Sequence, residues 1–270
     1  MDATKSSITP RDLYDRLGTA QAPILIDVRK PADFAASDRC IVSAFHRAPE
    51  DVARWSAGLP AGRSVVVHCV RGHQVSQNAA AALAAAGIDA AFLDGGIAGW
   101  TEAGLPTRRK VAAATDKWVT RERPKIDRIA CPWLIRRFID PTAVFLFVAP
   151  AEVLDVADRF GATPFDIENT FWSHRGAFCT FDVMLDEFGL HSDALDRLAV
   201  IVRAADTAAL DLAPQAAGLL AASLGFSRLY RDDLAQLDAT MVLYDAFYRW
   251  ARDATNETHN RPTHAAGGRA

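Results

Sequence analysis

A cysteine stands between a predicted strand and a predicted helix, where a thiol is placed to react. Cys69 follows the apolar run at 65–68, and the alanine-rich stretch at 75–86 has the composition of a helix. Loop amides and a helix N-terminus both favour negative charge, so they favour the thiolate over the thiol. Because the thiolate is the nucleophilic form of cysteine, we expect Cys69 to attack a substrate.

The length and composition indicate a folded protein of two ordinary domains. The chain has 270 residues, half of them hydrophobic, so it can bury substantial cores. The formal net charge of −3 gives no general electrostatic reason to bind nucleic acid. No apolar run approaches the ~18 residues of a membrane helix, and the first residues lack the apolar segment of a secretory signal. We therefore expect a cytoplasmic protein with no membrane or nucleic-acid partner.

The four cysteines form neither a disulfide framework nor a recognisable metal motif. Cys40, Cys69, Cys131 and Cys179 are widely spaced, and no two of them form a Cys-x-x-Cys pair. This spacing argues against a zinc ribbon and a thioredoxin-type motif. We expect free thiols in a reducing compartment, with the three cysteines other than Cys69 packed or partly exposed.

Strand and helix signals alternate through the first hundred residues. Short apolar runs predict strands at 24–28, 65–68 and 90–93, and helical stretches lie at 10–17 and 75–86. This alternation predicts an α/β fold with a parallel sheet flanked by helices. Ligands bind at the carboxyl ends of the strands in such folds, which is where Cys69 lies.

A polar stretch at 107–116 is predicted to be a linker. It would separate a domain at 6–106 from a second domain at 117–252. The second domain has strand signals at 118–120 and 143–148 and helical patterns at 130–139, 151–160, 193–205, 214–224 and 232–252. We expect this domain to be a mostly helical α+β unit, followed by a disordered polar tail at 253–270.

Three motifs in the first domain resemble the rhodanese family. They are Ile26-Asp27-Val28-Arg29 with Asp33-Phe34, the six-residue loop Cys69-Val70-Arg71-Gly72-His73-Gln74, and Leu93-Asp94-Gly95-Gly96-Ile97-Ala98-Gly99-Trp100. The resemblance covers about residues 6 to 106. The segment 40–44 departs from it, since the family usually has a His-Ile-Pro-Gly-Ala turn there. This departure concerns the rim of the site and not the nucleophile.

The resemblance to rhodaneses implies sulfur transfer. Cys69 would take a sulfane sulfur from an anionic donor such as thiosulfate, hold it as a persulfide and pass it to cyanide or a thiol acceptor. Arg71 would attract the donor, while Asp27 and Arg29 would hold the loop in shape. The amides of the loop would cradle the persulfide, and His73 would form a polar rim. The remaining loop residues are Val70, Gly72, His73 and Gln74. No cofactor is expected.

Two other roles for Cys69 fit the residues less well. A cysteine-based phosphatase of similar fold needs a longer loop with an arginine six residues after the cysteine, and that position here is Val75. The loop is therefore too short for phosphate and lacks its clamp. The other role is that of a small buried hydrophobic residue, which the adjacent glycine, arginine and helix start disfavour.

The second domain begins with an arginine-rich segment at 118–138, in which Glu122 and Asp127 offset part of the positive charge. This segment and the runs 165–166, 173–176, 179–182, 203–206 and 212–219 resemble the C-terminal domain of ChrB-type chromate-resistance proteins. The resemblance spans about residues 117 to 252. It implies an association with chromate, a tetrahedral dianion whose oxygens arginines can bind.

Arg121, Arg128 and His174 are the candidate oxyanion-binding residues of this domain. Protonation of His174 would strengthen the binding. Alternatively, the arginines pair with acidic residues on a solvated face. A further alternative is a metal site formed by four residues: His174, Cys179, Asp182 and Asp206. Their spacing matches no standard motif, so no metal is expected.

The favoured interpretation is a cytoplasmic sulfurtransferase joined to a chromate-resistance domain. Its partners would be thiosulfate or a similar anionic donor, a thiol acceptor and, as a further candidate, chromate. The alternative is a non-enzymatic protein that senses chromate or binds an oxyanion, with a redox-sensing or vestigial Cys69. Regulators with this C-terminal domain carry a DNA-binding part before it, but no helix-turn-helix signal is present here, which disfavours direct control of transcription.

Overall fold

The chain alternates between strands and helices up to residue 109 and is mainly helical after residue 121. A computed structural model describes residues 6–20, 22–111 and 114–257. The strands are β1 (Ser7–Ile8), β2 (Ile24–Asp27), β3 (Arg39–Ile41), β4 (Phe45–His46), β5 (Val65–His68), β6 (Ala90–Leu93), β7 (Thr107–Arg109), β8 (Lys117–Arg121), β9 (Val144–Val148) and β10 (Thr163–Pro164). The helices are α1 (Pro10–Arg16), α2 (Pro31–Ala35), α3 (Val52–Ser56), α4 (Gln74–Ala85), α5 (Gly96–Glu102), α6 (Asp127–Phe138), α7 (Val153–Phe160), α8 (Thr180–Phe188), α9 (Asp193–Asp206), α10 (Ala216–Leu229) and α11 (Asp233–Arg249).

Five strands form a parallel sheet in the order β1-β6-β5-β2-β4. The central strands β2 and β5 are buried along their whole length, which explains why each is a continuous apolar run rather than an alternating one. Asp27 at the end of β2 lies opposite His68 at the end of β5. The residues that follow these two strands therefore meet at one edge of the sheet. The predicted α/β fold is confirmed, and Cys69 lies at the carboxyl edge.

The second part of the chain is mostly helical, as predicted. Its strands form a small parallel sheet in the order β10-β8-β9. The fully buried Trp133 of α6 organises the helical core, because four rings surround it with centroids 5.5–6.4 Å away: Phe138, Phe181, Tyr244 and Tyr248. Within the described part of the chain, every helix is too short or too polar to span a bilayer.

The predicted linker at 107–116 begins with a strand. β7 pairs antiparallel with β3, and Arg39 lies opposite Arg109. The guanidinium of Arg108 is enclosed and donates to the carbonyls of Ala44 at 2.8 Å and Ile139 at 3.3 Å. The polar composition of this stretch predicts a linker. It does not indicate these contacts, because Ala44 and Ile139 are distant from Arg108 in sequence.

The two parts of the chain share one hydrophobic cluster. It includes Trp100 from the first part and both Phe138 and Tyr248 from the second. Gly18 lies at this contact with a φ of +74°, and a Cβ there would overlap the ring of Tyr248. The backbone amide of Ser43 also donates to the carbonyl of Phe138 at 2.6 Å. Apolar packing and a backbone hydrogen bond therefore both join the two parts.

The end of the described chain differs from the predicted tail at 253–270. Residues Trp250–Ala254 continue from α11 as a π-helical turn. Arg249 and Asp253 form an ion pair of 2.8 Å across this turn, which favours its helical conformation. The predicted tail from residue 258 onward lies outside the described residues. A second difference is α8, because the sequence patterns do not indicate a helix there.

Candidate functional site

Cys69 lies in the loop between β5 and α4, at the carboxyl edge of the parallel sheet. Its side chain is nearly buried, with 6% of the residue exposed. Val70, Arg71 and His73 are exposed beside it, and Gln74 is the exposed first residue of α4. Val70, Arg71, His73 and Gln74 therefore form a rim that faces solvent beside the thiol, whereas Gly72 is buried.

Hydrogen-bond donors converge on the sulfur of Cys69. The hydroxyl oxygen of Ser76 lies 3.2 Å from Sγ. The backbone amides of Ser76, Arg71 and His73 also act on it. Burial raises the pKa of Cys69, but these hydrogen bonds together lower it by more, so the pKa lies below the ordinary value for cysteine. The site therefore stabilises the thiolate.

Ser76 is a site residue that the motif pattern does not indicate. It lies in the first turn of α4, is fully buried, and its hydroxyl is 3.1 Å from the carbonyl oxygen of His73. The hydroxyl has one proton to donate, and a thiolate is a stronger acceptor than a carbonyl. Ionised Cys69 is therefore the preferred acceptor. The sequence signal for this role is a polar residue on the buried face of an alanine-rich helix.

The glycine pair 95–96 packs backbone to backbone against the Cys69 loop. The two amides after this pair donate to the carbonyls of Cys69 and Val70 at 3.0 Å. Gly96 has a φ of +57°, and a Cβ there would overlap the carbonyl of Cys69 and the amide of Gly72. The third predicted motif therefore fixes the directions of the loop amides, which is a structural reason for its glycines.

Asp27 and Arg29 form a buried, bidentate ion pair. Arg29 Nε and Nη2 lie 2.9 and 2.6 Å from Asp27 Oδ2, and Nη2 also donates to the carbonyl of Arg39 at 3.1 Å. Burial raises the pKa of Asp27, but His68 and Arg29 lower it by more. Since burial lowers the pKa of His68 itself, Arg29 supplies the stabilising charge at neutral pH. The pair links the end of β2 to β3 and lies next to the residue before Cys69.

In the second part of the chain, the candidate oxyanion residues Arg121, Arg128 and His174 come together around Asp166. Arg121 Nη2 lies 3.1 Å and Arg128 Nε 3.3 Å from Asp166 Oδ2. His174 Nε2 lies 3.3 Å from Asp166 Oδ1. The carboxylate therefore lies between the cationic groups, and an oxyanion would have to compete with it. The oxyanion role of the three residues stays a prediction.

His174 faces three carboxylates. Its Nε2 lies 3.5 Å from Asp127 Oδ2, and 3.3 Å from both Asp166 Oδ1 and Asp206 Oδ2. A hydrogen bond to Asp166, together with the three negative charges, outweighs the effect of burial and raises the pKa of His174 to about 9. Burial is the main cause that raises the pKa values of Asp127 and Asp206.

Asp127, His174 and Asp206 are the described residues whose types and positions suit a metal ion. Each offers one ligand atom, and these atoms lie within 4.8 Å of one another. His174 and Asp206 belong to the metal alternative considered from the sequence. The other two members of that alternative, Cys179 and Asp182, lie at the start of α8. There the Asp182 carboxylate accepts a hydrogen bond from the Cys179 amide at 3.0 Å. Asp127 takes their place, and the sequence marks it only as an acidic residue among arginines.

Two protein-family models match the chain on either side of residue 110. Residues 9–103 match the rhodanese-like domain, and residues 118–251 match the ChrB C-terminal domain. The chain joins a rhodanese-like domain to a ChrB C-terminal domain. The resemblances seen in the motifs are confirmed. The Cys69 loop and the glycine pair belong to the rhodanese-like domain, and the carboxylates around His174 belong to the ChrB C-terminal domain.

Similar proteins are found for parts of the chain. The protein ChrB of Cupriavidus metallidurans is 34% identical over 145 residues, which are 53% of this chain and 43% of that protein. The probable adenylyltransferase/sulfurtransferase MoeZ of Mycobacterium tuberculosis is 33% identical over 103 residues, which are 37% of this chain and 26% of MoeZ. This chain thus spans less than half the length of either relative. A rhodanese-related protein from Thermoplasma volcanium has 25% identity, with a TM-score of 0.34 over 38% of this chain and 96% of that structure.

Proposed function

We propose that the rhodanese-like domain is a sulfurtransferase that carries a sulfane sulfur as a persulfide on Cys69. The observation that carries this proposal is the convergence of the Ser76 hydroxyl and the loop amides on the sulfur. These donors stabilise the thiolate before the reaction and the anionic persulfide after it. The similarity of 103 residues of this chain to part of MoeZ, a probable adenylyltransferase/sulfurtransferase by name, adds support.

The proposed reaction is a double displacement. The Cys69 thiolate attacks the outer sulfur of thiosulfate, the S–S bond of the donor breaks, and sulfite leaves with the bonding electron pair. Cys69 then carries the outer sulfur as an anionic persulfide. An acceptor thiolate or cyanide attacks that sulfur, forms a new bond to it and releases the Cys69 thiolate. Neither step needs an oxidant, a reductant or a cofactor.

The exposed rim supports an anionic donor. The Arg71 side chain is exposed next to the thiol, so its charge can attract thiosulfate or a similar dianion, while its backbone amide acts on the sulfur. Gly72 has a φ of +70°, and a Cβ there would lie 2.6 Å from the carbonyl oxygen of Leu93. This close approach of two backbones leaves no room for a side chain at position 72.

We infer that the ChrB C-terminal domain connects this sulfur chemistry to chromate or oxyanion resistance in the cytoplasm. The support is the 34% identity with the ChrB protein of Cupriavidus metallidurans and the resemblance of the motifs to chromate-resistance proteins. Chromate competes with sulfate and consumes thiols, so a sulfur carrier is a reasonable companion. Deletion of the chain should lower chromate tolerance in its host, and a Cys69→Ser copy should fail to restore it. Unchanged tolerance after deletion would refute this connection.

Cyanolysis of thiosulfate tests the enzymatic proposal. The wild-type chain should form thiocyanate, and Cys69→Ala should lose at least ~10³-fold in turnover because the nucleophile is gone. Cys40→Ser is the matched control, since Cys40 is a buried thiol of the same domain whose pKa is raised, chiefly by burial. It should keep its activity. Equal turnover in the Cys69→Ala variant would contradict the proposal.

The non-enzymatic alternative makes a different prediction for the same protein. A folded wild-type chain without turnover on any anionic donor, but with saturable chromate binding that Arg121→Ala or Arg128→Ala removes, would favour an oxyanion sensor. The contacts of both arginines with Asp166 weigh against that outcome, because the carboxylate already satisfies their charge.

A further inference from the structure

Separate segments of the ChrB C-terminal domain deliver cation ligands to one point. Asp127 is the first residue of α6, His174 lies in the loop before α8, and Asp206 is the last residue of α9. The ligand atoms of these three residues lie within 4.8 Å of one another. We propose that Asp127, His174 and Asp206 bind a divalent cation of the zinc class. This proposal is independent of Cys69 and of the sulfur chemistry.

The Asp127 carboxylate supplies a second observation that points to a ligand. The residue is 1% exposed, and its Oδ1 has no hydrogen-bond partner in the described part of the chain. Its Oδ2 accepts from the backbone amide of Thr180 at 2.6 Å and lies 3.5 Å from His174 Nε2. The Cys179 thiol lowers the pKa of Asp127 through a side-chain hydrogen bond to the carboxyl group. A buried, unsatisfied carboxylate oxygen is costly, and a cation would satisfy it.

The distances around His174 suit a cation better than a proton. Nε2 can carry one hydrogen, and that hydrogen can be directed at one oxygen, yet carboxylate oxygens of Asp127, Asp166 and Asp206 all lie 3.3–3.5 Å from it. At metal–ligand bond lengths of about 2.0–2.1 Å, the edge of a coordination tetrahedron measures about 3.3–3.4 Å. The separation of Nε2 from Asp206 Oδ2, 3.3 Å, matches that edge, and the separation from Asp127 Oδ2, 3.5 Å, is slightly longer. A bound cation would turn these close contacts into ligand pairs.

Asp166 and its partners form the support around the three ligands. The Thr180 hydroxyl donates to Asp166 Oδ1 at 3.0 Å, while Arg121 and Arg128 contact Oδ2. Asp166 is thereby fixed beside His174 and partly neutralised. The amide of Thr180 holds Asp127, so one residue at the start of α8 orders two of the carboxylates. Such supporting contacts orient the ligands in metal sites and tune the affinity.

The donor set indicates the class of cation. Two carboxylates and one imidazole suit zinc and similar first-row divalent ions, whereas calcium and magnesium prefer sites made of oxygen alone. The His174 side chain is 40% exposed, so the cluster is accessible from solvent. Three protein ligands with access to solvent leave a fourth position for water or an anion, as in zinc sites that perform chemistry.

Zinc binding by the full chain tests the proposal. We would use Cys69→Ala as the background, so that the reactive thiolate cannot bind the ion, and measure bound zinc by elemental analysis after equilibrium dialysis. One zinc per chain is expected. His174→Gln should weaken binding at least ~10-fold, because a ligand is lost while the half-exposed side chain keeps its size. Asp206→Asn should do the same.

His191 provides the matched control. It is an exposed histidine of the same domain, and its ring nitrogens lie 2.9 Å from Asp196 and 3.8 Å from Asp186. Its carboxylate neighbours are exposed, so His191→Gln should leave zinc binding unchanged. Loss of binding in this variant to the same degree as in His174→Gln would contradict the assignment.

Cobalt replaces zinc as a spectroscopic probe of the geometry. The cobalt-loaded chain should show the visible absorption of a four-coordinate ion, and His174→Gln should abolish it. The chain would be dialysed against zinc at concentrations that saturate ordinary zinc sites. The proposal is overturned if the chain then retains less than ~0.1 equivalent of zinc. It is equally overturned if an intense thiolate-to-cobalt band appears, because that band would assign the ion to cysteine sulfur.

Discussion

The hydroxyl oxygen of Ser76 lies 3.2 Å from the sulfur of Cys69. The loop motif ends at Gln74, so this contact comes from the first turn of α4 and not from the motif itself. The helix therefore contributes a side chain as well as its N-terminal amides to the stabilisation of the thiolate. A residue outside the recognised loop thus helps to set the reactivity of the nucleophile.

The first prediction concerns this contact. Ser76→Ala removes a hydrogen bond to the thiolate and should raise the pKa of Cys69. The rate of alkylation by iodoacetamide at neutral pH should fall by roughly 10-fold, and the pH profile should move to higher pH. Ser56→Ala is the control, because the Ser56 hydroxyl is exposed and donates to a nearby helix carbonyl, that of Ala53. An unchanged profile in Ser76→Ala would show that the amides alone stabilise the thiolate.

The glycine pair gives a prediction with an internal reference. Gly96→Ala and Gly104→Ala both place alanine at a left-handed φ, which costs about 1–2 kcal/mol. A Cβ at Gly104 meets no atom within 4 Å, whereas one at Gly96 overlaps the Cys69 loop. Gly96→Ala should therefore lose a further 1–3 kcal/mol or so in urea unfolding and also slow the alkylation of Cys69. Equal losses in both variants would mean that the loop adapts freely.

The buried ion pair predicts a large difference between two aspartates. Asp27→Asn leaves Arg29 buried without its counter-charge and should cost about 3–5 kcal/mol in the free energy of unfolding. Asp51→Asn removes an exposed pair with Arg54 and should cost about 0–1 kcal/mol. Urea titrations of both variants measure the difference.

The same pair predicts a pH dependence. The pKa of Asp27 is lower in the folded chain than in the unfolded chain, so its contribution to stability is complete above the unfolded pKa of about 3.9. The contribution falls as the pH drops from there through the folded pKa. Below about pH 4 the wild type should therefore lose stability more steeply than Asp27→Asn. Parallel curves would contradict the lowered pKa.

The contacts of Arg108 with Ala44 and Ile139 join the two domains, so we expect the domains to unfold together. Arg108→Met leaves the carbonyls of Ala44 and Ile139 without this donor, which should cost about 1–3 kcal/mol for each. Arg47→Met, at an exposed arginine that donates to its neighbour His46, should cost less than about 0.5 kcal/mol.

Tryptophan fluorescence and circular dichroism should give one coincident transition in the wild type. Two separate transitions would instead support an independent linker.

The sequence predicts the parallel sheet well, because β2 and β5 are buried on both faces and are therefore continuous apolar runs. It predicts the linker poorly at its start. The burial of Arg108 depends on two carbonyls that only the folded chain brings to it. Similarly, α8 lies after an irregular loop, and its register becomes clear only through the contacts of Thr180 with Asp127 and Asp166.

The Cys69 site and the cluster around His174 also differ in how well the sequence predicts them. The six-residue loop is contiguous, so its residue types alone indicate the position of the thiol and its amides. The ChrB-domain cluster draws on segments distant in sequence, and the pairing of Arg121 and Arg128 with Asp166 cannot be inferred from spacing. Arginine composition therefore points to an anion, while the folded arrangement surrounds His174 with carboxylates.

The central claim is that Cys69 carries sulfur, and the mass of the intact protein after treatment with thiosulfate tests it most directly. The wild type and Cys40→Ser should each gain the mass of one sulfur atom, and a thiol such as dithiothreitol should remove it. Cys69→Ser should gain nothing. A gain that persists in Cys69→Ser, or a folded wild type that gains no sulfur from any anionic donor, would contradict the account.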